Sequence, residues 1–103
     1  MADVVDGFAG EGYGAVADAF RQNFTDRKEL GAACAVMRNG ELVVDLWGGH
    51  RDKKRTQPWR ADTLVTVWST TKGMSATAMA VAHSRGLFAL DTPVADYWPE
   101  FAQ

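Results

Sequence analysis

Ala32-Ala33-Cys34-Ala35-Val36-Met37-Arg38-Asn39-Gly40-Glu41-Leu42-Val43-Val44-Asp45-Leu46-Trp47 is the stretch on which the fold turns. Two runs of strand-like composition, Ala32 to Arg38 and Glu41 to Trp47, flank Asn39-Gly40, the dipeptide that most readily takes positive φ at both centres of a type I′ turn. The pattern predicts a β-hairpin. In its second run Leu42, Val44 and Leu46 fall on one face and Val43, Asp45 and Trp47 on the other. Both faces are largely apolar, so the hairpin is expected to be covered on both sides.

Working outward, Val16, Phe20 and Phe24 recur every fourth residue from Ala15 to about Phe24, while Asp18, Arg21 and Gln22 occupy other faces. An amphipathic helix is predicted there, with an apolar face that needs a sheet. Ahead of it, Gly7, Gly10, Gly12 and Gly14 do not match G-x-G-x-x-G and follow no recognisable strand, so residues 1–14 read as a flexible lead-in, not a phosphate cradle. Residues 15–49 then form helix plus hairpin, closed by Gly48-Gly49. Residues 50–62 read as an exposed connection in which the basic run His50 to Arg55 is a solvated loop.

Residues 63–103 change character. Thr63 to Trp68 is short, apolar and rich in β-branched residues. From Thr70 to Arg85 the chain is full of alanine and methionine without proline, and Gly86 stands where a helix would close in the left-handed conformation. Met74, Thr77, Ala78 and Val81 share one face, and the Thr77 hydroxyl can bond back to a carbonyl one turn earlier. With Gly73, Ala76 and Ala80 keeping other faces small, this helix is expected to pack closely on several sides. Asp91 or Thr92 is expected to cap a short helix with Pro93 in its first turn, ending near Pro99.

Chemistry enters at Ser69-Thr70-Thr71-Lys72. Residues three apart on a helix are neighbours, so the Lys72 amine is placed beside the Ser69 hydroxyl. A serine hydroxyl needs such a base to accept its proton as it attacks a carbonyl carbon. A lysine serves when burial or neighbouring positive charge disfavours its charged form, and the mostly uncharged surroundings of Trp68, Gly73 and Met74 are compatible with that. A serine at the start of a helix also gains from free backbone N–H groups and the helix dipole, both of which favour a developing oxyanion. Four-residue patterns with two free positions also arise by chance, and Thr25-Asp26-Arg27-Lys28 shows a threonine version in an ordinary charged turn. The placement of Ser69 at the junction of an extended segment and a small-residue helix is what separates the two.

Other chemistries fit less well. Ser69 lacks the flanking glycines of G-x-S-x-G. His50 and His83 carry no H-E-x-x-H pattern and read as structural or surface residues. The single cysteine, Cys34, lies in an apolar run and reads as a small buried side chain, with no partner for an internal disulfide. With 47% hydrophobic and 23% charged residues and a net charge of −2, the 103-residue chain has ordinary globular composition and no electrostatic footprint for nucleic acid. No stretch approaches the length of a membrane span. The amino terminus, Met1 to Asp6, has neither the positive charge nor the apolar run of a secretory signal, so a cytoplasmic location is expected if Met1 is the native start.

Three segments in order, Asp45-Leu46-Trp47-Gly48-Gly49, Thr63 to Gly73 around Trp68-Ser69-Thr70-Thr71-Lys72, and Gly86 to Phe101 with Asp91-Thr92-Pro93, resemble the class C β-lactamase-like esterases, also called family VIII carboxylesterases. The resemblance covers most of the chain from about residue 31. It implies an α/β (α+β) sandwich of the β-lactamase/transpeptidase type, of which residues 1–103 supply the amino-terminal helix, the first hairpin and the nucleophile-bearing helix. It further implies that Ser69 is the acyl-accepting nucleophile, that Lys72 is its proton-transfer partner, and that no metal or organic cofactor takes part. The implied substrate is a small-molecule ester or β-lactam. Neither nucleic acid nor a membrane is an expected partner.

The second family motif, a tyrosine in a Y-x-N or Y-x-S setting, is matched by neither Tyr13 nor Tyr97. The third, a K-T-G-like or W-x-G-like strand, has no counterpart either, since Trp47-Gly48-Gly49 precedes the nucleophile and reads as a structural turn. The expectation is therefore an amino-terminal portion of a single larger domain, inactive alone and dependent on the remainder of the polypeptide. The leading function is hydrolysis of small carboxylic esters. Hydrolysis of β-lactams or acyl transfer on the same scaffold, and a non-enzymatic binding or assembly role for the apolar hairpin by strand addition, stand as alternatives.

Overall fold

A computed structural model of the chain describes residues 5–102. The order of elements is β1 (Val5–Ala9), α1 (Gly14–Thr25), β2 (Gly31–Arg38), β3 (Glu41–Gly49), α2 (Thr71–Ser84) and α3 (Val94–Tyr97), with 3₁₀ turns at Trp68–Thr70 and Pro99–Ala102. The chain forms two compact units, with the boundary between Val65 and Thr66.

In the first unit the hairpin forms as its sequence predicts. Asn39 and Gly40 both take positive φ, 51° and 82°, the pair of left-handed residues a type I′ turn requires. β2 and β3 pair antiparallel, with Cys34 opposite Leu46 and Val36 opposite Val44. Between Val36 and Met37 the register shifts, so that Met37 faces Leu42 and Val43 is passed over. This bulge interrupts the alternation expected along β3. Val44 and Leu46 are 0% and 2% exposed, whereas Leu42, expected in the same row, is 41% exposed.

The residues read as a flexible lead-in hold a strand, which corrects that expectation. β1 runs antiparallel to β3, with Gly7 opposite Leu46 and Ala9 opposite Val44, and gives a three-stranded sheet in the order β1-β3-β2. Residues 1–4 of that segment lie outside the described residues. Gly7, in the middle of β1, masked the strand in the sequence, because glycine is depleted in strands and weakens the pattern that reveals them.

Helix α1 lies where the four-residue periodicity places it and supplies Ala17 and Phe20 to the core formed with Val44 and Leu46. Val16, Phe24, Tyr13 and Cys34 pack around this cluster, and the Phe20 and Phe24 rings meet edge to face at 5.4 Å between centroids. Cys34 is half-buried and has no disulfide partner. Core packing is thus confined to one face of the sheet. On the other, Val43, Asp45 and Trp47 are half-buried, so the cover expected there is only partial within the described residues.

The connection after β3 is exposed but ordered around one carboxylate. Asp52 accepts hydrogen bonds from the Thr56 N–H at 3.0 Å, the Thr56 hydroxyl at 2.9 Å and the Gln57 N–H at 2.8 Å. Desolvation pushes the Asp52 carboxyl upward, but the hydrogen bonds from Gln57 and Thr56, together with the charge of His50, leave it below its ordinary value. His50 is held by its backbone, whose N–H donates to the Leu30 carbonyl at 2.7 Å and which forms a bridge with Pro58. Gly31, opposite Gly49, sits so close to the His50 carbonyl and the Trp59 ring that a Cβ there would overlap both.

Because Leu46 is enclosed and Leu42 is not, their truncations separate. In the intact protein Leu46→Ala is expected to lower the unfolding free energy by about 3 kcal/mol and Leu42→Ala by under about 1 kcal/mol, measured by urea denaturation. Equal losses would contradict the bulged register.

Candidate active site

The second unit carries the S-x-x-K sequence across the 3₁₀ turn that leads into α2, with Lys72 on the first turn of α2. Thr63 to Val67 has no regular structure, Trp68–Thr70 forms a 3₁₀ turn, and the α-helix proper starts at Thr71. The Thr70 N–H donates to the Val67 carbonyl at 3.1 Å, and the Thr71 N–H reaches the carbonyls of Ser69 and Trp68. Ser69 therefore occupies the start of a continuous helical run, where backbone N–H groups have no intrahelical acceptor.

Lys72 Nζ donates a hydrogen bond to Ser69 Oγ at 2.9 Å. The i,i+3 neighbourhood expected from the sequence is thereby formed between the two candidate residues themselves. Among the described residues neither side chain has a third hydrogen-bonding partner. Both are exposed, and Trp68 is 83% exposed, so the burial anticipated around Lys72 is not supplied by these residues.

The rest of α2 is tied by its own hydroxyl-to-carbonyl hydrogen bonds. The Thr77 hydroxyl bonds back to the Gly73 carbonyl at 2.8 Å, as expected, and Ser75 and Ser84 make similar returns to Thr71 and Val81. At the far end the Gly86 N–H donates to the His83 carbonyl and the Leu87 N–H to that of Ala82, the paired bonds of a Schellman closure, with Gly86 at φ 72°. His83 Nδ1 pairs with the Phe88 carbonyl at 3.0 Å and its ring tilts against that of Phe88. It is a structural residue of this closure. No residue of α2 is buried, contrary to the close packing its small side chains suggested, and Met74 and Met79 are 71% and 54% exposed. α3 begins after Pro93, which stands at the N-cap position instead of inside the first turn, and neither Asp91 nor Thr92 caps it through a side chain.

One feature at this site carries no signal in the sequence. Trp68 has φ 49°. The other non-glycine residues in this region, Lys28, Asn39 and Arg55, are polar and lie in turns or loops. For a residue with a Cβ the left-handed conformation costs about 1–2 kcal/mol, and an aromatic side chain gives no local hydrogen bond in return.

The remaining sequence candidates stand apart from this chemistry. Tyr13 sits at the N-cap of α1 and its hydroxyl accepts from Arg38 Nη1 at 3.5 Å; Tyr97 is on α3 and 58% exposed. A cavity of about 620 Å³ in the connecting segment, lined in part by Arg51, Gln57, Arg60 and Asp62, includes neither Ser69 nor Lys72. Among the described residues no group of three or more His, Cys, Asp and Glu is placed to hold a metal ion, and no helix is long and apolar enough to cross a membrane.

The Beta-lactamase family model matches residues 16–103, from α1 through the serine–lysine turn to the end of the chain. The chain belongs to the Beta-lactamase family. It is 42% identical over 97 residues to the Esterase/beta-lactamase LipL of Mycobacterium tuberculosis (strain ATCC 25618 / H37Rv), an alignment that covers 94% of this chain and 23% of that protein. With Esterase EstB of Burkholderia gladioli it shares 38% identity over 82 residues, or 80% of this chain and 21% of the esterase. Among solved structures, a family VIII carboxylesterase superposes with a TM-score of 0.90 at 50% identity, covering 95% of this chain and 27% of the other. A penicillin-binding protein homolog from Caulobacter crescentus matches with the same TM-score at 46% identity, covering 96% and 27%. The mixed α/β arrangement is thus that of β-lactamase-fold carboxylesterases. This Beta-lactamase family chain spans about a quarter of the length of the relatives it matches.

The closure of α2 supplies a test of how its first turn is maintained. A Cβ at position 86 would meet nothing within 4 Å, so the cost of Gly86→Ala is conformational alone. It is expected to be about 1 kcal/mol in thermal unfolding of the intact protein, and no loss would show that the left-handed closure is not retained.

Proposed function

We propose that this Beta-lactamase family protein, at the length of its relatives, is a serine hydrolase that cleaves small carboxylic esters through an acyl-enzyme on Ser69. The hydrogen bond between Lys72 Nζ and Ser69 Oγ at 2.9 Å, where the 3₁₀ turn meets α2, carries the reading. The esterase names of relatives at 42% and 38% identity support it.

In this mechanism the Lys72 amine takes the Ser69 proton as Oγ forms a bond to the ester carbonyl carbon. Negative charge moves to the carbonyl oxygen, and the helix N-terminus, with its unpaired N–H groups and positive dipole end, is suited to receive it. As the tetrahedral species collapses, the carbon–oxygen bond to the alcohol breaks and Lys72 returns the proton to the departing oxygen. Water then attacks the acyl carbon by the same proton path and frees Ser69. A site of this kind needs two further elements, a second oxyanion donor and an enclosure for Lys72, which the described residues do not provide.

A second reading, hydrolysis of β-lactams on the same serine, is favoured by the double name of the mycobacterial relative. Both substrates present a carbonyl to the same nucleophile. Relative turnover of a cephalosporin and a p-nitrophenyl ester of a short acid ranks them.

In the intact protein a serine-directed phosphonate is expected to label Ser69, and Ser69→Ala should abolish both the label and ester turnover. Lys72→Ala should lower kcat by roughly 10²–10⁴ with unchanged circular dichroism. Label retained on another residue in the Ser69→Ala protein would sink the assignment.

A further inference from the structure

We propose that Asn39 is a site of spontaneous covalent modification, where attack by the Gly40 nitrogen expels the side-chain amide and leaves aspartate and isoaspartate at the hairpin tip. The inference stands apart from the chemistry at Ser69. Asn39 and Gly40 are both exposed and form the two centres of the turn, with φ 51° and 82°. Such a turn is closed across its flanking residues, here Arg38 opposite Glu41, so the N–H of its third residue takes no part in the closure. Among the described residues neither the Gly40 N–H nor the Asn39 side chain forms a hydrogen bond. Gly40 has no side chain of its own, and a Cβ there would meet nothing within 4 Å, so its nitrogen is uncrowded.

The chain has one other asparagine, Asn23, and its setting is the opposite. Asn23 lies within α1, where the N–H of the next residue belongs to the helical ladder. Its Oδ1 accepts a hydrogen bond from Arg27 Nη1 at 3.3 Å, and the Phe24 ring that follows is packed edge to face on Phe20. Ring closure at Asn23 would break both hydrogen bonds and move a packed aromatic residue. Closure at Asn39 breaks neither.

In the first step the Gly40 nitrogen gives its proton to solvent base and bonds to Asn39 Cγ, the Cγ–Nδ2 bond breaks, and Nδ2 leaves as ammonia. A cyclic imide then joins the two residues, and water opens it at either carbonyl. Opening at Cγ gives aspartate; opening at the main-chain carbonyl gives isoaspartate, with the chain running through Cγ. Either product sets a carboxylate near Glu41, and isoaspartate also adds a methylene to the main chain of a two-residue loop. Register in a hairpin follows turn type and loop length, so an isoaspartyl turn cannot keep Arg38 opposite Glu41. The register shift between Val36 and Met37 separates this tip from the core. Met37 and Leu42 on the tip side are exposed, whereas Val44 and Leu46 are enclosed, so the change is confined to the tip.

Ageing the intact protein in mildly alkaline buffer and mapping its peptic peptides by mass spectrometry tests the site. The peptide with residue 39 should gain the mass difference between an amide and an acid at least about tenfold faster than the peptide with Asn23, which has hydrogen bonds to break first. The gain should slow in mildly acidic buffer, where less base is present, and vanish in Asn39→Gln. A methyltransferase specific for isoaspartate should label the aged peptide. Amide exchange in the aged protein should quicken at Glu41 and Leu42 and stay unchanged at Val44 and Leu46. A residue 39 that remains an amide, or equal rates at Asn39 and Asn23, would overturn the site, and this comparison within the unaltered protein does not depend on how Asn39→Gln folds. Mass gain without methyl label would overturn the imide route, since direct hydrolysis yields aspartate alone. Quickened exchange through Val44 and Leu46 would overturn the confinement.

Discussion

A lysine amine and a serine hydroxyl lie 2.9 Å apart because both stand on one helical turn, and the arrangement is only as good as the helix that holds it. The pair is local: three residues of spacing, no long-range contact. Its geometry therefore depends on where the helix begins and on whether the helix persists. The 3₁₀ turn Trp68–Thr70 leads into the helix, and the Schellman bonds at Gly86 with the back-bonded hydroxyls of Thr77, Ser75 and Ser84 run along its length. No residue of α2 is buried, so backbone and side-chain hydrogen bonds hold it within its unit where packing ordinarily would.

The first unit is built on the opposite principle. Its stability lies in a small enclosed cluster, Val44 and Leu46 beneath Ala17 and Phe20, and β3 is the common neighbour of β1 and β2. The bulge at Val43 limits how far that cluster runs, because it takes Leu42 out of the buried row and leaves it at the rim. The two units thus show two ways of ordering a chain, one by enclosure of apolar surface and one by satisfying polar groups along a helix.

Much of this was legible in the sequence wherever the signal was local. Asn39-Gly40 specified its turn through the φ both residues tolerate, the spacing of Val16, Phe20 and Phe24 marked a helix face, and Gly86 marked a helix end. The closeness of the Ser69 and Lys72 side chains was legible because i,i+3 spacing makes neighbours on a helix. β1 was illegible, since Gly7 interrupts the composition of a five-residue strand and its pairing with β3 is a contact across some 40 residues. The bulge at Val43 was equally hidden, being a property of a pair of strands and not of either one. Trp68 shows the remaining limit: an aromatic residue announces nothing about positive φ.

The crossing of Gly31 and Gly49 has a consequence for how this sequence can vary. These two glycines face each other across β2 and β3, with the His50 and Leu30 carbonyls where their side chains would be. At most surface positions of the hairpin one substitution can be absorbed by turning a side chain into solvent. Here the obstacle is main chain on both strands, which has no rotamer to change, so replacing either glycine alone would have to part the strands at the point where the chain leaves the sheet. Drift at this corner is consequently closed to single steps, and the pair is open to change only together with the path of the loop that follows it.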